Sequence, residues 1–157
     1  MYSSVELADS YISAHYTSGS SERKRWEAFS DEDKTVYLNN AFEAIEALPF
    51  GGRKAVLGQE TAFPRLPYQY GKTDEGAPQL VKFAEIELAL WLSDEKKREA
   101  SQKRAQLIAD GVKSFSVGDL SESYGELSEG IQTLSAKSCK KAMELLAPYL
   151  SGGFDLC

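Results

Sequence analysis

The chain has 157 residues, of which 42% are hydrophobic and 27% are charged, and its formal net charge is −6. This length suits one domain with its own hydrophobic core. The excess of acidic residues argues against a protein that coats nucleic acid non-specifically, because such binding depends on Lys and Arg. Two cysteines without metal spacing, no basic and apolar leader and no long apolar run predict a reduced, intracellular protein without a membrane span.

Two short helices are predicted near the start of the chain. Residues 3–16 carry apolar side chains at helical spacing, and Ser4 is in the N-cap position. Residues 22–29 follow a polar turn, and Trp26 and Phe29 lie three positions apart, so that they can share one buried face.

Ser30 begins the clearest helix in the sequence. The acidic run 31–33 fills its first turn, where the helix dipole favours negative charge, and Pro49 ends it. Its apolar stripe consists of Leu38, Ala41, Phe42, Ile45 and Leu48.

An irregular loop rich in proline and aromatic residues is predicted at 58–78. It contains Gly71-Lys72-Thr73, the last three residues of a phosphate-binding loop. Such a loop needs a glycine where this chain has Leu66, and it needs a preceding strand, which Pro64 and Pro67 disfavour. The sequence therefore predicts a loop without a nucleotide site.

The helix that follows Pro78 is apolar on two sides. Between residues 80 and 92 only Lys82, Glu85 and Glu87 are polar. One broad side holds Leu80, Val81, Ala84, Leu88, Trp91 and Leu92, and a second strip holds Phe83, Ile86 and Leu90. Such a helix is either central to its own bundle or shared with another subunit.

The helical pattern continues past residue 92 into a segment that is polar and basic. Its positive residues are Lys96, Lys97, Arg98, Lys103 and Arg104. We interpret the segment as a solvated helix surface, and the alternative is a contact with an acidic partner or with DNA.

A β-hairpin is predicted at 112–124, because the apolar period changes to two around a Gly118-Asp119 turn. Phe115 and Val117 precede the turn, and Leu120 and Tyr124 follow it. An isolated hairpin is only marginally stable in water, so we expect this one to pack against another part of the structure.

A final amphipathic helix is predicted within 133–150, ending near Pro148. Its apolar positions are Leu134, Ala142, Leu145 and Leu146. We therefore expect a mainly α protein: one small helical bundle over 1–150, with a long central helix, a hairpin or extended arm near 112–124, and a flexible tail at 151–157.

No pattern in the sequence indicates catalysis. His15 has no cysteine or carboxylate beside it at metal spacing, and no serine sits in a strained nucleophile turn. Tyrosines and tryptophans could stack on bases, but their helical spacing assigns most of them to the core. We expect no enzyme activity, no metal and no cofactor.

Several segments, taken in order, resemble the head-to-tail adaptor proteins of tailed bacteriophages. They are VELADSYISAHY, Trp26, SDEDKTVYLNNAFEAIEALPFGGRKA, GQETAFPR, APQLVKFAEIELALWL and VKSFSVGDLSESY. The resemblance covers residues 2–125, and many members of that family also carry the description putative DnaT-like single-stranded-DNA-binding protein. The chain departs from the family pattern at 92–104, which is longer and more charged, and after residue 125.

The resemblance implies a ring of about twelve copies in the virion neck, assembled in the host cytoplasm. Such a ring joins the portal protein to a tail or tail-terminator protein, while DNA passes through its channel without sequence-specific binding. The candidate assembly residues are Phe63, Pro64, Arg65, Tyr68, Tyr70, Phe83, Ile86, Leu90, Val117, Leu120 and Tyr124. Among them, the 63–65 run is expected to anchor the loop while Tyr68 and Tyr70 reach a partner.

The alternative function is a single-stranded-DNA-binding module, as the second description suggests. It would use Arg53, Lys54, Arg65 and the 96–104 segment as phosphate contacts, with tyrosines stacked on bases. Salt-sensitive affinity for single strands would distinguish this module from an adaptor, which needs no DNA to assemble.

Overall fold

The protein is a mainly helical bundle with a β-hairpin, as the sequence predicts, and it has a second small antiparallel sheet that was not predicted. The computed structural model describes residues 1–68, 76–100, 103 and 136–151, and the backbone of 114–117 and 120–123. Three helices come first: α1 spans Val5–His15, α2 spans Ser21–Glu27 and α3 spans Asp31–Glu46.

Each of these helices begins at a serine that caps it. The hydroxyl oxygens of Ser4, Ser20 and Ser30 accept hydrogen bonds from backbone N–H groups in the first turns of α1, α2 and α3. Such a cap satisfies a backbone donor that has no partner inside the helix. The N-caps predicted at Ser4 and Ser30 are thereby confirmed.

Helix α4, Gln79–Leu92, lies at the centre of the bundle. It packs against α3 and against the C-terminal helix α5, Lys140–Leu146. Pro78 occupies its N-cap position, one residue before the first turn. Its buried residues are Val81, Ala84, Glu85, Ile86, Glu87, Leu88, Ala89, Leu90 and Leu92. Of the two roles predicted for this helix, the central one is found.

The prediction that α4 continues into the basic segment is wrong. The helix ends at Leu92, and the Ser93 hydroxyl donates to the Leu90 carbonyl at 2.7 Å. The Asp94 carboxylate then accepts from the Lys97 N–H at 3.2 Å, and residues 95–100 are helical again. Local side-chain hydrogen bonds compete with the helix at this point and start a new one.

The two sheets each contain two strands. Strands β1, Arg53–Lys54, and β2, Arg65–Leu66, pair antiparallel at the exit of α3. Strands β3, Ser114–Val117, and β4, Leu120–Ser123, pair with Val117 opposite Leu120. The predicted hairpin is confirmed, while its turn at 118–119 and Tyr124 lie outside the described residues.

The C-terminal helix is shorter than predicted. A 3-10 turn at Ala136–Ser138 precedes α5, and a second one at Ala147–Tyr149 follows it. Cys139, the residue before α5, has an extended backbone, which separates α5 from the first turn. Ala142 and Leu146 are buried as predicted, and Leu134 lies outside the described residues.

Neither membrane nor metal features are found in the part of the chain that the structure describes. No helix there has the length and apolar character that crossing a bilayer would require. No group of three or more His, Cys, Asp or Glu side chains there could hold a metal ion.

Candidate interaction surface

One end of the bundle gathers the exit of α3, the β1–β2 sheet and the end of the C-terminal helix. We call residues 50–68 and 149–151 the sheet end. Phe50 forms an isolated antiparallel bridge with Leu150, and the Gly51 N–H donates to the Tyr149 carbonyl at 2.8 Å. These backbone contacts fix the chain after α3 to the end of the C-terminal segment.

Phe63 anchors the sheet end in the core. Its ring is buried and makes edge-on contacts with Phe50 at 4.8 Å, with Tyr149 at 5.6 Å and with Tyr2 at 5.9 Å between ring centroids. The peptide bond from Phe63 to Pro64 is cis, as is the bond from Leu66 to Pro67. The buried position of Phe63 agrees with the prediction that this residue anchors the loop.

Arg65 serves as an internal clamp. Its guanidinium donates to the carbonyl of Gly51 at 2.7 Å and to those of Gly52 at 3.0 Å and Phe50 at 3.2 Å. A planar guanidinium suits such convergent acceptors. Arg65 therefore holds the loop, which disagrees with its use as a phosphate contact in the DNA-binding alternative.

Glu46, in the last turn of α3, ties the sheet end to the N-terminus. Its carboxylate accepts from the Ala62 N–H at 2.9 Å and from the Tyr2 phenol. The Tyr2 oxygen accepts in turn from the Phe63 N–H at 3.3 Å. Burial, followed by the neighbouring Glu46 carboxylate, raises the pKa of Tyr2, so this phenol stays protonated and continues to donate.

Two apolar side chains of the sheet end are exposed. Val56 is 54% exposed and Leu57 is fully exposed, and we call this pair the apolar tip. The Lys54 ammonium donates to the carbonyls of Gln59 and Glu60 at 2.9 Å, and the Gln59 amide donates to the Thr61 carbonyl at 2.8 Å. The loop that carries the tip is thus held by its own hydrogen bonds.

The sequence contains one signal for this tip, a pair of adjacent apolar residues in a short polar segment. Val56 and Leu57 lie between Arg53-Lys54 and Gly58, in a segment that joins the helix ended by Pro49 to the loop at 58–78. A pair of this kind has no periodicity to indicate which way it faces, so its exposure follows only from the fold.

Tyr68 lies at the same end of the bundle, and its side chain is only partly exposed. It is 40% exposed, and its ring packs edge-on against Tyr149 at 5.4 Å. Tyr70, its expected companion, lies outside the described residues.

The interface residues expected on α4 do not form a surface. Ile86 and Leu90 are buried in the core of the chain itself, because α4 is covered by α3 and α5. Phe83 is partly buried against Tyr11, with 4.6 Å between ring centroids. Ile86 and Leu90 therefore stabilise the protomer and are not available to a neighbouring subunit, whereas Phe83 keeps part of its surface exposed.

The β3–β4 hairpin has two outer edges that pair with no other described strand. The structure gives the backbone of Val117 and Leu120 at the last pair before the turn. Unpaired edges expose backbone donors and acceptors that another strand can use.

The basic segment after α4 is partly neutralised by carboxylates of the same chain. Lys97 lies 3.4 Å from Glu22, and Arg25 lies 3.3 Å from Asp94. Burial acts to raise the pKa of Asp94, but the Lys97 N–H and the charges of Arg25 and Lys97 hold this pKa below its ordinary value. Lys96 and Lys103 are exposed, and Arg104 lies outside the described residues.

Helix α4 contains two buried carboxylates, Glu85 and Glu87, and each binds its own set of partners. Glu87 accepts from the phenols of Tyr11 and Tyr16, both at 2.6 Å, and lies 2.6 Å from the Lys141 ammonium. Burial first, then the Glu87 carboxylate, raises the pKa of both phenols. With these partners Glu87 joins α1, α4 and α5.

Glu85 is the second buried carboxylate, and it holds the N-terminus. It accepts from the Tyr2 N–H at 2.7 Å and from the Ser3 hydroxyl at 2.8 Å. Burial raises the pKa of Glu85, and these hydrogen bonds offset only part of that effect. Both glutamates are thus engaged by partners within the fold.

The fold and these contacts define a small helical-bundle protein with an exposed apolar pair at one end. The chain belongs to the family described as "Putative DnaT-like ssDNA binding protein", whose match covers residues 1–156. Comparison with curated proteins and with solved structures gives no match.

Proposed function

We propose that this chain is a structural virion protein, a head-to-tail adaptor of a tailed bacteriophage. It would form a ring of about twelve copies in the neck, between the portal and a tail protein and around the DNA channel. The observation that carries this proposal is the apolar tip, Val56 and Leu57, exposed on a base held by hydrogen bonds.

An apolar projection of this kind suits assembly. Burying a Leu or Val side chain contributes about 1.5–3 kcal/mol, which this chain does not gain at Leu57 by itself. Because the loop is already ordered, a partner that covers the tip would pay little conformational entropy. The tip is therefore suited to a protein contact.

The hairpin supports the same function. Both outer edges of β3–β4 are without a paired strand among the described residues, and a two-stranded hairpin is marginal alone. Addition of a strand from a neighbouring protein would satisfy an edge.

The charge distribution is compatible with a channel through which DNA slides. The net charge is −6, and Lys97 is engaged by Glu22 and Asp94. The net negative charge disfavours the approach of DNA phosphates, and Lys97 is already engaged by carboxylates of the same chain.

The test is the mass of the assembled protein, measured by light scattering on the purified chain alone and mixed with the portal protein of the same genome. We expect a large complex of defined mass, either with the chain alone or once the portal is added. An unrelated acidic protein in place of the portal serves as the control. The adaptor function would be contradicted if the chain remained a monomer and did not bind the portal.

The second candidate is a single-stranded-DNA-binding module, which the family description favours. Arg53 and Lys54 are exposed at the sheet end, near the partly exposed Tyr68, so a phosphate contact and a stacking ring are available there. The measurement is fluorescence anisotropy of a labelled oligonucleotide between about 50 and 200 mM salt. If the chain is such a module, Arg53→Ala should reduce the slope of log affinity against log salt concentration by about one, because one phosphate contact is lost. An adaptor should show no salt-dependent binding of the oligonucleotide.

A further inference from the structure

We propose that the junction between α4 and residues 95–100 is a helix joint with two states, bent in this structure and able to straighten into one continuous helix. Contacts from α2, above all those of Arg25, hold the bent state. The inference goes beyond the proposed function, since it concerns the direction in which the chain leaves the bundle after α4.

The bend is made by two residues, Ser93 and Asp94. The Ser93 side chain is nearly fully buried, and its hydroxyl donates to the Leu90 carbonyl at 2.7 Å. Asp94 is not helical, and its carboxylate accepts from the Lys97 N–H at 3.2 Å, so that it caps the helical segment that follows. Both side chains therefore form local hydrogen bonds that replace the continuation of α4.

The backbone does not require this break. The chain has neither glycine nor proline from 79 to 110, and residues 95–100 are Glu, Lys, Lys, Arg, Glu and Ala, which all favour helix. Ser and Asp inside a helix are only modestly unfavourable. A helix that runs through 93 and 94 is therefore accessible to this sequence once the contacts that hold the bend are lost.

Arg25 of α2 binds both sides of the bend. Its guanidinium donates to the Leu90 carbonyl at 3.2 Å and to the Ser93 hydroxyl at 3.0 Å, and it lies 3.3 Å from the Asp94 carboxylate. In a continuous helix the Leu90 carbonyl would instead accept from the Asp94 N–H. Arg25 thus joins the last turn of α4 to the residue that caps the next helix, and we assign to it the role of a latch.

Charge, and not apolar packing, attaches residues 95–100 to the bundle. None of them joins the hydrophobic core of the described residues, and only Arg98 among them is partly buried. Lys97 lies 3.4 Å from Glu22 in the first turn of α2, and both side chains are partly exposed. Such a pair contributes little to stability and is weakened by salt. The bent state is therefore held by a small number of polar contacts.

Straightening would redirect the chain beyond α4. A continuous helix from Gln79 to Ala100 spans about 30 Å, at 1.5 Å per residue, and any bend shortens that distance. An anionic partner that binds Arg25 or Lys97 would favour the straight state, because it removes the contacts that hold the bend.

The first test measures the distance between the two ends of the joined helices. Nitroxide labels are placed on Gln79→Cys and Ala100→Cys, at two exposed positions, in a Cys157→Ser background. Cys139 is only 4% exposed and escapes labelling. Pulsed EPR should give one distance clearly shorter than about 30 Å for this otherwise native protein at low salt.

Two variants should release the bend. Arg25→Ala removes the latch, and Ser93→Ala combined with Asp94→Ala removes the local hydrogen bonds. Each should add a population near 30 Å, the length of about 21 residues of helix, and raising the salt from about 50 to 500 mM should act in the same direction. Lys24→Ala and Glu99→Ala are the controls, because both side chains are exposed and lie beside the joint in sequence.

Glu95→Pro should have the opposite effect. Proline suits the first position of the helix that Asp94 caps, whereas inside a continuous helix it would remove the hydrogen bond to the Trp91 carbonyl and would clash with it. Added to Arg25→Ala, it should restore the short distance. A variant that is merely unfolded would not be restored, so this rescue distinguishes straightening from loss of structure.

Amide exchange followed by NMR gives a second readout. In the bent state the N–H groups of Glu95 and Lys96 lie in the first turn of a helix, where no carbonyl of that helix can accept from them. In the straight state they would donate to the carbonyls of Trp91 and Leu92. Exchange at these two amides should therefore slow about tenfold in the released variants.

Two results would overturn the joint. If the released variants keep the native distance and the native exchange rates, the junction has only one state. If the distances become broad while exchange at 95–100 becomes faster, the segment frays and does not straighten. Neither measurement uses the portal, so the joint and the adaptor function are judged independently.

Discussion

The Lys141 ammonium in α5 lies 2.6 Å from the carboxylate of Glu87 in α4, a side chain that is only 3% exposed. The same ammonium sits 4.6 Å from the centre of the Tyr16 ring, a cation–π contact with the residue that caps the end of α1. Lys141 therefore joins the C-terminal helix to the first and the central helices.

Replacing Lys141 with Ala should lower the free energy of unfolding by about 1–3 kcal/mol, because a buried carboxylate loses its cation. The effect is limited because the Lys141 side chain is half-exposed and its charge is partly screened. Urea denaturation monitors the change.

Lys140→Ala provides the control for this measurement. Lys140 is 91% exposed and pairs with Glu144 only at 3.8 Å, so its removal should change stability by less than about 0.5 kcal/mol. Equal losses in the two variants would show that helix propensity, and not the Glu87 contact, is measured.

Glu85 should make stability depend on pH in the direction opposite to that of a salt-bridged acid. Its folded pKa is raised above the ordinary value of 4.5, so the folded state binds the proton more tightly than the unfolded state. Its contribution to stability is then lost as pH rises from about 4.5 through the folded pKa. Relative to Glu85→Gln, the native protein should lose stability over this window.

The measurement is thermal unfolding of the two proteins from pH 4 to pH 8, with the difference plotted against pH. Gln changes the absolute stability by altering the contacts with Tyr2 and Ser3, so only the slope of the difference is used. A flat difference would mean that the Glu85 carboxyl has an unshifted pKa.

Arg65→Lys should destabilise the sheet end by about 1–3 kcal/mol, because one ammonium cannot reach the carbonyls of Phe50, Gly51 and Gly52 together. Limited proteolysis after residue 50 and urea denaturation would both detect the loss. Arg53→Lys keeps the charge at an exposed site and should behave like the native protein. If both lysine variants were native-like, Arg65 would not be a clamp.

Gly52→Ala should disrupt the β1–β2 sheet. Gly52 has a φ of 68°, and a Cβ there would lie 2.0 Å from the carbonyl oxygen of Leu66. Backbone strain and this clash together should cost about 3 kcal/mol, measured by denaturation.

Gly58→Ala separates strain from the clash. Gly58 also has a positive φ, 80°, but a Cβ there would meet nothing within 4 Å. This variant should lose only about 1–2 kcal/mol. If Gly52→Ala lost no more than that, the close approach of Gly52 to Leu66 would not exist in solution.

Local sequence determined the helix starts and the hairpin. Ser30 with three acidic residues after it specifies a helix start by hydrogen bonding and dipole, and Val117 pairs with Leu120 because two residues between alternating strands fit a tight turn. These features depend on neighbours within a few positions, so they can be read without the fold.

Helix lengths at Leu92 and before Lys140 were not predicted correctly. Apolar periodicity continued through both places, but side-chain hydrogen bonds at Ser93 and Asp94 and the extended backbone of Cys139 interrupt the helices there. Periodicity reports which face is apolar and is insensitive to such local competition.

The sequence by itself determined the fold class, the helix caps at Ser4 and Ser30 and an apolar central helix. Only the tertiary structure decided that Ile86 and Leu90 are core, that Arg65 is a clamp, and that Leu57 is exposed. The physical reason is that burial depends on which elements cover a side chain, and that covering comes from residues distant in the chain.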